Sequence, residues 1–211
     1  FWGGPFSSES RFCNGFGKST RFLGSILNKK YMMEREIKWV LAQHEGTNHM
    51  YDKYLPYEFH LRMVANMANK FMYLMIPKNY LHPGNQDVHD IMLGAWGHDL
   101  IEDTRVSYND VKEALGHKAA EIVYAVTNEK GKNRAERGNQ KYYDGICAIP
   151  EARFVKFCDR IANVQYSKMT GSRMFGMYKK ENQGFMDKMM FEGESDSLYD
   201  MGHYLQELFN D

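Results

Sequence analysis

The chain is poor in the residues and patterns that mark several protein classes. Three cysteines occur in 211 residues (Cys13, Cys147 and Cys158), with no paired spacing and no CxxC, so neither a disulfide framework nor a cysteine metal motif is expected. That usage fits a reduced, cytoplasmic setting. No apolar run approaches the eighteen or so residues of a membrane span, which argues against a membrane partner. Lys+Arg and Asp+Glu each number 27, and a formal charge of zero argues against a duplex nucleic-acid binder, which carries a clear basic excess. Only 5 prolines are present, which favours helices. What is there is ordinary globular composition, 43% hydrophobic and 26% charged, with 15 Met and 14% aromatics that suit a packed helical core.

The chain divides near Met32. Residues 1–31 are rich in Gly, Ser, Phe and basic residues, begin with Phe1 and sustain no period. They read as a transit-type leader, or as sequence upstream of a start at Met32 or Met33; the second is favoured because Met33-Glu34 opens the first amphipathic segment. Gly15–Thr20 lacks the spacing of a phosphate loop and any strand before it. This segment holds five basic residues and one acid, so the remainder carries 22 basic and 26 acidic side chains. A polyanionic ligand must therefore be attracted by local features of a mildly acidic protein.

From Met32 onward the spacing is helical. Helices are expected near 57–76, from Asp87 as cap through Trp96, from Ser107 to a stop at Gly116, and over 117–128, 134–149, 151–169, 173–191 and 197–209. No useful β-alternation appears, so the fold class is all-α, a single bundle over 32–211. The stretch from about Lys168 reads as two packing helices and a surface for homo-oligomer contact.

Chemistry concentrates at the end of the Trp96 helix, in Gly97-His98-Asp99-Leu100-Ile101-Glu102-Asp103-Thr104. A lone His-Asp pair means little. If the helix continues, however, His98 with Glu102 and Asp99 with Asp103 share faces, and carboxylates at the end of a buried run need a cation or donors. His60 follows the turn Pro56-Tyr57, and Asp159 and Asn163 sit four apart among apolar residues. Each alone is more often a packed or paired residue than a ligand. Together, His60, His98, Asp99 and Asp159 form a two-histidine, two-carboxylate set that suits a divalent ion such as Mn²⁺, Fe²⁺ or Zn²⁺.

These segments, in their order, resemble the HD-domain metal-dependent phosphohydrolases, and within them the hydrolase domain of RelA/SpoT-type alarmone enzymes and the small hydrolases of the metazoan SpoT-homologue type. The resemblance covers about residues 36–168. It rests on Ala42-Gln43-His44-Glu45-Gly46, Leu55-Pro56-Tyr57…His60, the His98–Thr104 stretch (similar to "HDxxEDT"), Val126-Thr127-Asn128-Glu129-Lys130…Glu136-Arg137, and Val155–Asn163. It implies an HD-domain helical bundle and one metal, typically Mn²⁺, on His60, His98, Asp99 and Asp159. It implies Glu102 and Asp103 as the residues that orient or deprotonate water, and Asn163 at the ribose or phosphate region. Lys130, Arg134 and Arg137 would supply positive charge near a small-molecule nucleotide substrate, and His44 and Tyr57 would support the pocket. The implied reaction is hydrolysis of the 3′-pyrophosphate of (p)ppGpp to GDP or GTP plus pyrophosphate. The stretch after Tyr166 is too short for the synthetase domain of the larger enzymes.

Two departures stand out. Thr47-Asn48-His49-Met50 occupies the place of the family's Arg-Lys pair, with a spacing to Pro56-Tyr57 that reads one residue longer, and Asn128-Glu129 replaces Asp-Asp. The first leaves two rival readings open: an HD-type nucleotide or NADPH phosphatase, and a non-catalytic nucleotide-binding sensor.

Overall fold

The computed structural model describes residues 33–82, 84–128, 130–191 and 197–210. The reading of residues 1–31 as a leader or misplaced start lies outside the described residues. Among the described residues the chain is helical throughout, and its only β-type contact is an isolated antiparallel bridge between Met50 and Pro56. The helices are α1 (33–45), α2 (Glu58–Phe71), α3 (Gln86–Gly97), α4 (Leu100–Asp103), α5 (Tyr108–Leu115), α6 (His117–Val126), α7 (Arg134–Arg137), α8 (Gln140–Cys147), α9 (Pro150–Met169), α10 (Arg173–Met189) and α11 (Tyr199–Glu207). None is long and apolar enough to cross a membrane. The expected all-α fold is observed.

The core is built around α9. Pro150 stands at its first turn, where the missing N–H costs nothing and the fixed φ suits a helix start. Twenty residues give it a length of about 30 Å. It packs against α2, α3, α6, α8, α10 and α11. Phe154, Val155, Phe157, Ile161 and Val164 are fully buried, and large side chains of this kind contribute about 1.5–3 kcal/mol each. On α2, Leu61, Val64, Ala65, Ala68 and Phe71 recur at helical spacing and face inward, which brings His60 to the same buried face. A second apolar cluster joins Val40, Leu61, Leu93, Leu100, Val111, Ala119 and Val123.

Helix α3 must approach α6 closely, since its last residues lead into His98. Gly94 permits this: a Cβ there would lie 2.7 Å from Ile122 Cγ2. Gly116 ends α5 with φ of 91°, a left-handed conformation that favours glycine, and Ser107 opens the same helix with a capping box to Asp110.

Several expected boundaries move. Asn85, not Asp87, caps α3, its side chain accepting from the N–H groups of Asp87 and Val88. Asp87 pairs instead with Lys118 at 2.9 Å. The 57–76 segment turns 3₁₀ after Phe71, and Gly138-Asn139 splits 134–149 because Asn139 caps α8 as a new start. The helix does not continue unbroken through His98–Asp103: α3 ends at Gly97 and α4 begins at Leu100. On an unbroken helix His98 and Asp99 would point about 100° apart. The turn at Asp99 (φ −101°, ψ 4°) lets both side chains meet while Leu100 stays buried.

Candidate functional site

The four residues singled out as ligands come from three places in the fold: His60 from the first turn of α2, His98 and Asp99 from the α3–α4 turn, and Asp159 from the middle of α9. The structure brings them together. His60 Nε2 lies 3.2 Å from His98 Nε2, 3.4 Å from Asp159 Oδ1 and 3.5 Å from Asp99 Oδ2. His98 Nε2 lies 2.8 Å from Asp99 Oδ2 and 3.8 Å from Asp159 Oδ1. Donor atoms of His60, His98 and Asp159 all fall within 4.8 Å of one another. Both histidines are buried, at 1% and 2% exposure.

The donor atoms of His60, His98 and Asp159 fit a divalent cation, with Asp99 Oδ2 beside the two histidines. Two donors each about 2.1 Å from one ion are about 3.0 Å apart at a right angle and about 3.4 Å apart at the tetrahedral angle. The observed spacings bracket that range. His98 Nδ1 donates to the Ala95 carbonyl at 2.9 Å, which leaves Nε2 facing the cluster, the usual way a ligating imidazole is oriented. The Tyr57 hydroxyl donates to Asp99 Oδ2, and Asn163 Nδ2 donates to Asp159 Oδ1. Two ring nitrogens this close, framed by carboxylates, can share a proton or a cation between them. Burial pulls the His60 imidazole down, but its hydrogen bonds to Asp159 and Asp99 outweigh that and lift it to about 9. Burial likewise opposes ionisation of Asp159, yet the adjacent Lys156 ammonium, 3.1 Å away, and the hydrogen bond from His60 hold it below the usual carboxylate range.

His60, Asp99 and Asp159 line a cavity of about 670 Å³, while His98 is buried beside them. Glu102 and Asp103 line it as well. Asn128 fastens Glu102, its Nδ2 donating to the two carboxylate oxygens at 2.7 and 2.8 Å. Asp103 is pushed up to about 6, first by burial and then by the negative charges of Asp99 and Glu102. A carboxyl group that titrates near neutrality is suited to general base work.

The other expected site residues are placed differently from one another. Arg134 and Arg137 line the cavity, whereas Lys130 is exposed and lies outside its lining. Asn163 lines it too, with its amide engaged by Asp159 and by the Tyr51 hydroxyl at 3.0 Å. His44 is buried behind Tyr57, stacked on it at 4.7 Å, and burial lowers its imidazole to about 4. His49, from the segment that departs from the family pattern, stacks on Tyr57 at 3.8 Å and comes within 3.8 Å of Asp103.

Residues not singled out in the sequence complete the walls. Lys156 is adjacent to Asp159 on α9, and its role follows only from their sharing a face. Helix α10 presents Tyr178, Lys180, Glu181, Gly184, Phe185 and Lys188 to the cavity. The reading of the C-terminal stretch as two packing helices and an oligomer surface did not include this wall. Phe185 and Met189 do pack in the core, but the same helix forms a wall of the site.

No protein-family model matches the chain. It is 24% identical over 129 residues to a Danio rerio protein named guanosine-3′,5′-bis(diphosphate) 3′-pyrophosphohydrolase MESH1, a match spanning 61% of this chain and 65% of that protein. An Aquifex aeolicus guanosine-3′,5′-bis(diphosphate) 3′-pyrophosphohydrolase is 30% identical over 80 residues, 36% of this chain and 12% of that one. The matched stretches therefore span less than two thirds of these relatives' own lengths. A solved structure described as "A metazoan ortholog of SpoT hydrolyzes ppGpp and plays a role in starvation responses" superposes with a TM-score of 0.60 at 16% identity, covering 84% of this chain and 93% of that one. That likeness shows the fold alone, an all-helical bundle. The resemblance to alarmone hydrolases carried by the ordered motifs is borne out by the relatives.

Proposed function

We propose that this chain is a metal-dependent phosphohydrolase that removes the 3′-pyrophosphate of (p)ppGpp, giving GDP or GTP plus pyrophosphate. The observation that carries this reading is the convergence of His60, buried His98, Asp99 and Asp159 at a cavity lined by three of them and by Glu102, Asp103 and several cationic side chains. Relatives named as hydrolases of the same compound support the substrate. The proposal places the activity on one domain over the described residues, in a cytoplasmic setting. Self-association through the C-terminal helices remains part of it as the oligomer reading.

A divalent ion, Mn²⁺ in the family the chain resembles, would supply Lewis-acid activation of water and phosphate when held by the two histidines and two aspartates. Asp103 takes a proton from the attacking water at its carboxylate, and Glu102, clamped by Asn128, orients that water. The water oxygen bonds to phosphorus, the bond from phosphorus to the 3′ oxygen breaks, and the 3′ oxygen takes up a proton. Arg134, Arg137 and Lys156 offset charge on the pyrophosphoryl group as it transfers.

A second reading, an HD-type nucleotide or NADPH phosphatase, is favoured by one observation. His49 stacks on Tyr57 where the family places an Arg-Lys pair, so the grip on the base differs. A panel of ppGpp, NADPH and deoxynucleotides with Mn²⁺ tests the choice, with phosphate and pyrophosphate measured separately. Pyrophosphate release from ppGpp alone is expected. Phosphate release from NADPH with ppGpp untouched would replace the first reading with the second. Tight ppGpp binding without turnover would make the chain a sensor.

A further inference from the structure

Within the cavity wall, two guanidinium groups converge on one carboxylate. Arg134 of α7 engages Glu181 of α10 as a fork, Nε at 2.9 Å from Oε1 and Nη2 at 3.2 Å from Oε2. Arg160 of α9 reaches the same Oε2 with Nη1 at 3.2 Å. Arg160 is 7% exposed, its guanidinium lies 4.7 Å from the Tyr178 ring and 4.9 Å from the Phe185 ring, and its buried Nε has no hydrogen-bond partner. All three charged residues line the cavity. The local balance is therefore two positive charges against one negative, with donor capacity left over on a nearly buried arginine.

A guanidinium fork that fits a carboxylate also fits a phosphate, and a phosphate group carries more charge and more acceptor oxygens. The geometry points to an anion subsite on Arg134 and Arg160 in which Glu181 is the resident competitor. A ligand whose remote end carries a doubly charged phosphate displaces the Glu181 carboxylate, and a singly charged ligand does not. Glu181 thus acts as a charge-selecting residue that favours pyrophosphorylated over less charged nucleotides. This deepens the proposed function and rests on the reading that the cavity takes a polyphosphate nucleotide. Lys180 and Lys188, on the same helix and lining the same cavity, extend the positive field beyond the pair.

The test is calorimetric titration of the full chain in EDTA with inorganic pyrophosphate, so that no turnover is involved. Glu181→Gln is expected to bind pyrophosphate about tenfold tighter than the unaltered chain. Adding Arg134→Gln to that variant should abolish the gain. Glu181→Asp, which keeps the charge but is too short to bridge both arginines, should tighten binding by a smaller factor, and it decides the matter if the Gln variant melts below the assay temperature. Unchanged or weaker pyrophosphate binding in the folded variants would overturn the proposal, because Glu181 would then only hold the arginines in place. Failure of ppGpp hydrolysis would leave this comparison standing, and failure of the comparison would leave the hydrolysis reading standing.

Discussion

Replacing Asp103 by Asn should make the metal-free protein more stable while removing its activity. The carboxyl is raised from 3.8 to about 6 by burial and by the neighbouring Asp99 and Glu102 charges. Two pK units correspond to a ceiling of about 3 kcal/mol. The side chain is 31% exposed and His49 lies 3.8 Å away, so solvent screening reduces the expected effect to about 1–2 kcal/mol. A raised carboxyl means that the folded state binds the proton more tightly than the unfolded chain. Its favourable contribution is complete below the unfolded value and is lost as pH rises through about 6. Above that point the ionised group costs its full amount, and Asn escapes the cost. For a chain of this size each kcal/mol moves the melting temperature by about 2–4 °C. Thermal melts in EDTA should show the Asn variant about 2–8 °C more stable at about pH 7.5, with the gap closing toward about pH 4.5. In Mn²⁺ the same variant should lose at least about a hundredfold in kcat. A pH-independent gap, or a less stable variant at neutral pH, would refute the electrostatic account of this residue.

Other expectations follow from the geometry. His98→Ala and Asp99→Ala should each lose bound metal and activity together, as measured by elemental analysis beside turnover; normal turnover by metal-free Asp99→Ala would sink the metal role. Asn128→Ala frees the Glu102 carboxylate and should lower kcat by about tenfold with little change in KM, because the clamp acts on orientation, not binding. Gly94→Ala drives a methyl against Ile122 and should destabilise by about 1–3 kcal/mol, an effect that Ile122→Val should partly reverse in melting experiments.

How much of this was legible beforehand depended on where each residue stood along the chain. The His98–Asp103 cluster is contiguous, so residue types and spacing exposed it at once. His60 and Asp159 were recognisable only as members of an ordered set of motifs, because a lone histidine or aspartate on an apolar helix looks like any packed or paired group. The helical period located α2, α3, α9 and α10, since burial of one face imposes it. It missed the break after Gly97, because nothing local to Gly97-His98-Asp99 distinguishes a continuing helix from one that turns so that both side chains can meet.

Composition and pattern were enough to read the all-helical class seen among the described residues and to single out the candidate ligand side chains, since these depend on residue type and near-neighbour spacing. Long-range packing settled the rest. Glu181 stands after two lysines in a helix whose partners its own sequence does not name, yet α10 lies beside α9, and the carboxylate meets Arg134 and Arg160 from positions 47 and 21 residues away. Tyr51 reaches Asn163 across 112 residues. Side chains that distant become neighbours only once buried area has chosen which helices pack, and the periodicity of a single helix carries no information about its partner.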